Sequence, residues 1–351
     1  MAQQHLDPPT GSVAATAPPD RGDTPLGDAL AGYLRAQATE FLRSLRQHRE
    51  TGGAANGGGE SGDAARALRH SARRISGSLH TFRPLLDADW SEGMRPELAW
   101  LSGTLAREHA YAARLERLIG ALNRLSGTAA LPGQTGRAPA ASRAGSLTVG
   151  AAKAGALLDR QLTLARTRAH SAALQALGSS RFHAVADSVA VLASEVPLAP
   201  AADTTDLRPL AAAAQDRLSD AVSALPLVVA GRPYNAEALV HGLSADTAPQ
   251  PQDAPWHQVR LLLRLHRYAH EVLHRGECPV DMRLLGAGTA LNRHRDAAEA
   301  ASAAASAART PRIAPATAYA LGVLHADQRH EVEAARFAFQ QAWQKEAVPT
   351  P

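Results

Sequence analysis

Apolar residues return every three or four positions along most of this chain, the spacing that gives a helix one buried face. The pattern opens in "LGDALAGYLRAQATEFLRSLRQHRE", breaks at the glycine-rich "TGGAANGGGESGD" (51–63) and resumes from 64 to 84. Further helices are predicted near 94–125, 147–177, 180–196, 206–225, 255–275, 280–308 and 314–346, separated by stretches such as "LPGQTGRAPAASRAG" and "VPLAPAADTTD". No period stands out between 226 and 254. Residues 1–27, rich in Pro, Gly and Asp, read as a disordered leader. Long helices with irregular connections predict an all-α fold of helical bundles.

Two of these helices carry the same unusual row. "HQVRLLLRLHRYAHE" (257–271) sets His257, Arg260, Arg264 and Arg267 at steps of three, four and three. At about 100° per residue these four fall within an arc of about 80°. Val259, Leu261, Leu262, Leu263, Leu265, Tyr268, Val272 and Leu273 hold most of the remaining circumference. So wide an apolar arc belongs to a helix with neighbours on most sides, and its basic face is then expected to line a groove. The helix at 64–84 repeats the spacing with Arg66, Arg69 and Arg73, and His80 and Arg83 extend the arc opposite Leu68, Ile75, Leu79 and Phe82. The repeat predicts two pseudo-symmetric four-helix bundles, 28–203 with a flexible insert at 51–63 and 204–346, whose rows face each other across a basic central cavity.

Composition fits this picture. The chain has 351 residues and 45% hydrophobic content, ample for a large core, and its 4% aromatic content with abundant Ala and Leu favours helices over sheets. Cys278 is the only cysteine, which excludes an internal disulfide and a thiolate metal cluster. The N-terminus lacks a basic segment followed by an apolar run, and no 18 consecutive residues are apolar, so a cytoplasmic protein without membrane association is expected. The formal charge is +4 and the pI about 9.6; lysine occurs only as Lys153 and Lys345, so arginine carries the basic character.

Like charges at three and four spacing repel by a few tenths of a kcal/mol per pair on a helix, and by more where they are desolvated. An anion is expected to offset that cost. A row two or three turns long, about 10–15 Å, matches a run of phosphates better than a single small anion. Arginine suits phosphate because its planar fork donates two hydrogen bonds at once. Polyphosphate and nucleic acid both qualify, but the rows contain no aromatics of the kind on which bases stack.

The same residues resemble the CHAD domain, the conserved histidine α-helical domain. "HQVRLLLRLHRYAHE" is similar to its second-half motif at His257, Arg260, Arg264, Arg267, Tyr268 and Glu271, and "LNRHRD" to a Leu-Gly-x-His-x-Asp element at Leu291, His294 and Asp296, with Asn292 for the glycine. "RALRHSARRISGSLHTFRPLL" is similar to the opening helix at Arg69, Arg73, Arg74, Leu79 and Phe82, with Arg66 in the histidine position and Ser76 and His80 replacing arginines. "AYALGVLHADQRHEVEAARFAFQQAW" has the look of the family's last helix. The first half departs further: His109, Ala110, Tyr111 and Ala112 stand in place of an Arg-Asp-x-Asp element. The resemblance implies a non-catalytic binder of inorganic polyphosphate, or of other polyanions, in a cavity between two bundles. It implies polyphosphate-binding roles for Arg66, Arg69, Arg73, Arg74, His80, His257, Arg260, Arg264, Arg267 and His294. No cofactor is expected, polyphosphate granules are a plausible location, and the oligomeric state stays open.

Other chemistry is less well supported. An RNA-binding module is the second reading, and a metal-dependent phosphohydrolase the third. His266, His270 and His274 recur at four-residue spacing, but the row offers no acidic ligand. "RHEVEAA" has Ala334 where a zinc protease needs its second histidine. His294 and Asp296 point about 160° apart on a helix, so His294 is expected to face the cavity and Asp296 to cap or to pair with arginine.

Overall fold

The computed structural model describes residues 26–52, 58–127, 144–232, 235, 250–274 and 281–344. Residues 1–25, Cys278 and Lys345 lie outside them. Ten helices form among the described residues: α1 (Leu26–Gly52), α2 (Gly58–Thr81), α3 (Ala88–Leu125), α4 (Ala144–Leu177), α5 (Ser180–Ser194), α6 (Arg208–Ser223), the single turn α7 (Leu227–Ala230), α8 (Ala254–Leu273), α9 (Met282–Ala308) and α10 (Pro315–Gln344). The described residues contain no strand; one isolated bridge joins Leu86 and Leu198. The all-α expectation is met, and no described helix is long and apolar enough to cross a membrane.

Side-chain caps fix where α3, α5 and α9 begin. Asp87 accepts the Trp90 N–H at 2.8 Å, which starts α3 at Ala88, six residues ahead of the periodic pattern. Pro96 therefore falls inside α3 and leaves the Glu92 carbonyl without its usual helical donor. Ser179 caps α5 through the Phe182 N–H, and Asp281 caps α9 through the N–H groups of Arg283 and Leu284. The insert expected to be flexible over 51–63 is helical on both flanks, because α1 runs to Gly52 and α2 begins at Gly58. The early turns of α2 hold an i,i+3 ion pair between Asp63 and Arg66. Residues 53–57 lie outside the described set.

Two halves with the same order of elements emerge from the packing. In the first, α1 lies against α2 and α3 pairs with α4; in the second, α6 lies against α8 and α9 pairs with α10. One core joins α1, α2, the first half of α3 and α5 around Phe41, Phe82 and Phe182, and takes in Ala211 and Ala214 of α6 and Ala269 and Val272 of α8. Another joins α6, α8, α9 and the end of α10, around Trp256 and Phe339. A third core was not anticipated from sequence. The paired helices run 38, 34, 27 and 30 residues, about 40–57 Å at 1.5 Å per residue. Their distal parts, carrying Leu118, Leu158, Ala300, Ala304, Leu321 and Leu324, pack on one another and fasten the two halves together. The alanines there let four helices approach closely; a Cβ on Gly150 would stand 2.3 Å from the Ala316 carbonyl oxygen.

The two arginine-row helices touch at a glycine. A Cβ on Gly77 of α2 would lie 2.6 Å from Cδ2 of Tyr268 in α8, a ring that is itself buried. Gly77→Val is therefore expected to force α2 and α8 apart and to cost about 2–3 kcal/mol, as overpacking of a filled core does. Thermal unfolding followed by circular dichroism checks this, and a midpoint within 1 °C of the wild type would contradict it.

Candidate functional site

α8 is central in its half, packed against α1, α2, α6 and α9. It buries Trp256, Val259, Leu263, Leu265, Tyr268 and Val272, as its wide apolar arc predicts. Leu261, expected in that arc, is instead 43% exposed at the rim of a groove. Arg260 and Arg264 line that groove with Arg73 and His80 of α2, Arg95 of α3 and Arg295 of α9. It has a volume of 470 Å³, and none of its lining residues is acidic. A smaller cavity of 350 Å³ between α3 and α5 carries Asp89 and Glu97, the latter paired with Arg181.

Among the described residues, no carboxylate pairs with Arg69, Arg73, Arg260 or Arg264. Arg260 donates from Nε to Asn292 Oδ1 at 2.8 Å, which tethers a member of the row. Burial first, and then the neighbouring guanidiniums, hold all four arginines below the ordinary arginine pKa. They stay charged at neutral pH. Burial also lowers His257 and His80, which favours their neutral rings. Nε of Arg69, Nε of Arg264 and Nε2 of His257 are buried without a hydrogen-bond partner. An unmatched buried polar group costs about 1–3 kcal/mol, and an incoming acceptor would relieve it.

The structure sorts the ten candidate residues. Arg73, Arg260, Arg264 and His80 meet in the groove. Arg69 is buried beside them and feels the charge of Arg295. Arg66 is exposed and paired with Asp63 at 2.5 Å. Arg74 turns away to Glu271, which it reaches at 2.8 Å while Glu271 also accepts from the Tyr33 hydroxyl at 2.8 Å. Arg267 is exposed, 3.4 Å from the same carboxylate, with its guanidinium over the Tyr268 ring. Glu271 thus neutralises the end of the row. Asp296 pairs with its neighbour Arg295.

His294, expected to face the cavity, is only 1% exposed and does not line the groove. Its ring stacks on Trp256 and meets His257 edge-on at 5.5 Å between centroids. Arg336 donates to its Nε2 at 3.3 Å, so that nitrogen carries no proton. Burial and then Arg336 push its pKa down to about 3. Beneath it lies a buried charge network. Asp253 accepts from both terminal nitrogens of Arg329 at 2.8 and 3.2 Å and from Arg336 at 2.6 Å. Burial alone would raise Asp253, but Arg329, His294 and Arg336 outweigh it and hold the carboxyl below its usual range.

Arg95 and Arg295 were not anticipated as part of the site. Arg295 sits inside "LNRHRD", between two residues already noted there, so a signal was present. Arg95 has no periodic partner, and only the packing of α3 places it. His266 meets His270 edge-on at 4.5 Å between centroids, and His270 stacks on His274 at 5.6 Å; among the described residues no three His, Cys, Asp or Glu side chains are placed to hold a metal ion.

Paired helical halves with an arginine groove free of carboxylates between them define a class: an all-α protein with a strongly electropositive internal groove. The CHAD domain family model matches residues 36–279, and the chain belongs to that family. Its structure is similar to that of PptA from Streptomyces chartreusis, which is 72% identical over 92% of this chain and 100% of that one, with a TM-score of 0.76. The CHAD domain from the plant Ricinus communis, 18% identical over 93% of this chain and 97% of that one, shares the fold at a TM-score of 0.52. No curated protein matches the chain.

Proposed function

We propose that the groove binds inorganic polyphosphate, without catalysis, and that Arg69, Arg73, Arg260 and Arg264 supply most of the binding. One observation carries this reading: Arg73, Arg260 and Arg264 line one groove from two helices, Arg69 is buried beside them, and among the described residues no carboxylate pairs with any of the four. Holding them together is unfavourable unless an extended anion lies among them. Polyphosphate offers acceptors at regular intervals and asks only for charge and donors. The groove has one aromatic residue, Tyr268, and it suits base stacking poorly, since the ring is buried with the Arg74 and Arg267 guanidiniums over it. A phosphohydrolase that uses a divalent cation needs oxygen ligands for it, and no carboxylate lines the groove.

Competition tests the reading. Long-chain polyphosphate is expected to displace a single-stranded RNA from the protein at a lower phosphate concentration than RNA displaces polyphosphate. The reverse order would favour a nucleic-acid module, and release of orthophosphate on adding a divalent metal would favour an enzyme.

A further inference from the structure

At one end of the groove, His80 of α2 and Arg95 of α3 are bonded to each other: Nη2 of Arg95 lies 3.0 Å from Nδ1 of His80. A guanidinium has only donors. Nδ1 must therefore be the acceptor, the ring proton sits on Nε2, and His80 is neutral in this state. Arg95 is also held by Glu92 at 3.0 Å. Both side chains face the groove that Arg73, Arg260 and Arg264 line.

We propose that His80 and Arg95 form a proton-linked phosphate subsite, in which a phosphate oxygen takes the Arg95 N–H and His80 gains a proton on Nδ1 to become a second donor. The proposal rests on the polyphosphate reading of the groove. The step balances simply. One Arg95–His80 hydrogen bond is exchanged for one from Arg95 to phosphate and one from imidazolium to phosphate, and a single proton enters from solvent. Without that proton, the ring could donate from Nδ1 only by moving its Nε2 proton there, and it would then offer the phosphate a hydrogen bond but no positive charge.

The surroundings of His80 set the direction. From α3 it faces Arg95 and Glu92, from α6 Arg217, and just beyond its own helix Arg83. Burial and then Arg95 and Arg217 lower its pKa below the ordinary histidine value, and Glu92 opposes them only in part. A phosphate beside the ring reverses that balance and raises the pKa. The free value lies below 6.5 and the bound value above the free one, so the protein takes up a proton on binding at pH values between the two. By linkage, affinity rises as pH falls through that window, by up to tenfold per pH unit for one whole proton.

Isothermal titration of the full chain with long-chain polyphosphate, at pH 6.5 in two buffers of different ionisation enthalpy, counts the protons taken up. The wild type is expected to take up more protons per bound chain than His80→Gln, by about half a proton or more, and His257→Gln is expected to keep the His80 share. The end groups of polyphosphate titrate equally with each protein and cancel in the difference. In the wild type, the His80 ring resonances are expected to titrate at a higher pH with polyphosphate than without. Equal proton uptake by wild type and His80→Gln, or a His80 titration unmoved by polyphosphate, would overturn the subsite while leaving polyphosphate binding intact. No binding by the wild type anywhere from pH 6 to 8 would overturn the polyphosphate reading and the subsite with it.

Discussion

Replacing Arg73, Arg260 and Arg264 together with glutamine is expected to lower the affinity for long-chain polyphosphate at least about a hundredfold near 100 mM salt. Each charge-assisted hydrogen bond is worth about 1.5–3 kcal/mol, and about 2.7 kcal/mol is already a hundredfold. The dependence of log K on log salt should flatten by about 2, since three fewer phosphates release their counterions. The same variant is expected to unfold at a higher temperature than the wild type. These guanidiniums are half-buried, mutually repelling and without carboxylates, so removing charge relieves the folded state at the expense of function. A purely structural role for the row predicts the opposite sign in the melt. As a comparison, Arg66→Gln with Arg267→Gln is expected to change affinity less than about threefold, because each side chain is exposed and already paired with a carboxylate. A triple variant that bound within threefold of the wild type would remove the groove from the account.

Asp253→Asn is expected to be the most damaging single substitution to stability. Arg329 and Arg336 are 2% and 4% exposed, and Asp253 is the anion that both of them reach; Arg336 also holds Glu333 at 2.6 Å, whereas Arg329 pairs with no other carboxylate among the described residues. Breaking a buried pair by removing one partner costs about 3–5 kcal/mol, since a charge is left buried without compensation. For a chain of this size that corresponds to a fall in the melting midpoint of about 4–7 °C. Asp253 immediately precedes α8, and the network braces the His294 ring against Trp256 and His257. Loss of Asp253 should therefore loosen the start of the basic row as well. A midpoint within 2 °C of the wild type would show that the arginines find other partners.

Periodicity made the helices legible, because a helix's apolar face depends only on residue spacing. The arc of α8 correctly marked it as central, and the repeat of Arg69 and Arg73 with Arg260 and Arg264 correctly paired two helices that meet in space. Spacing assigns a face but not the neighbour it meets. Arg267 shares its row's register and Arg74 stands next to Arg73 in the chain, yet both are claimed by Glu271, whose reach across to Tyr33 of α1 is a tertiary fact. His294 was expected in the groove because it points away from Asp296 and sits in a family-like element, but its position depends on Trp256 and on Arg336, 42 residues further along the chain. Asp253 sat in a proline-rich stretch with no period, so nothing local distinguished it. The distal core of α3, α4, α9 and α10 was hidden for a related reason: alanine marks a buried face weakly, and helix length alone hinted that another partner was needed.

The most direct measurement is a titration of the wild-type protein with long-chain polyphosphate over a series of salt concentrations, with single-stranded RNA as competitor. The account predicts saturable binding that weakens steeply with salt, by a log–log slope of about 3 or more for at least four phosphate contacts, and displacement of RNA by the lower concentration of polyphosphate. Binding that is absent, or that is indifferent to salt, or that RNA displaces first, would contradict it.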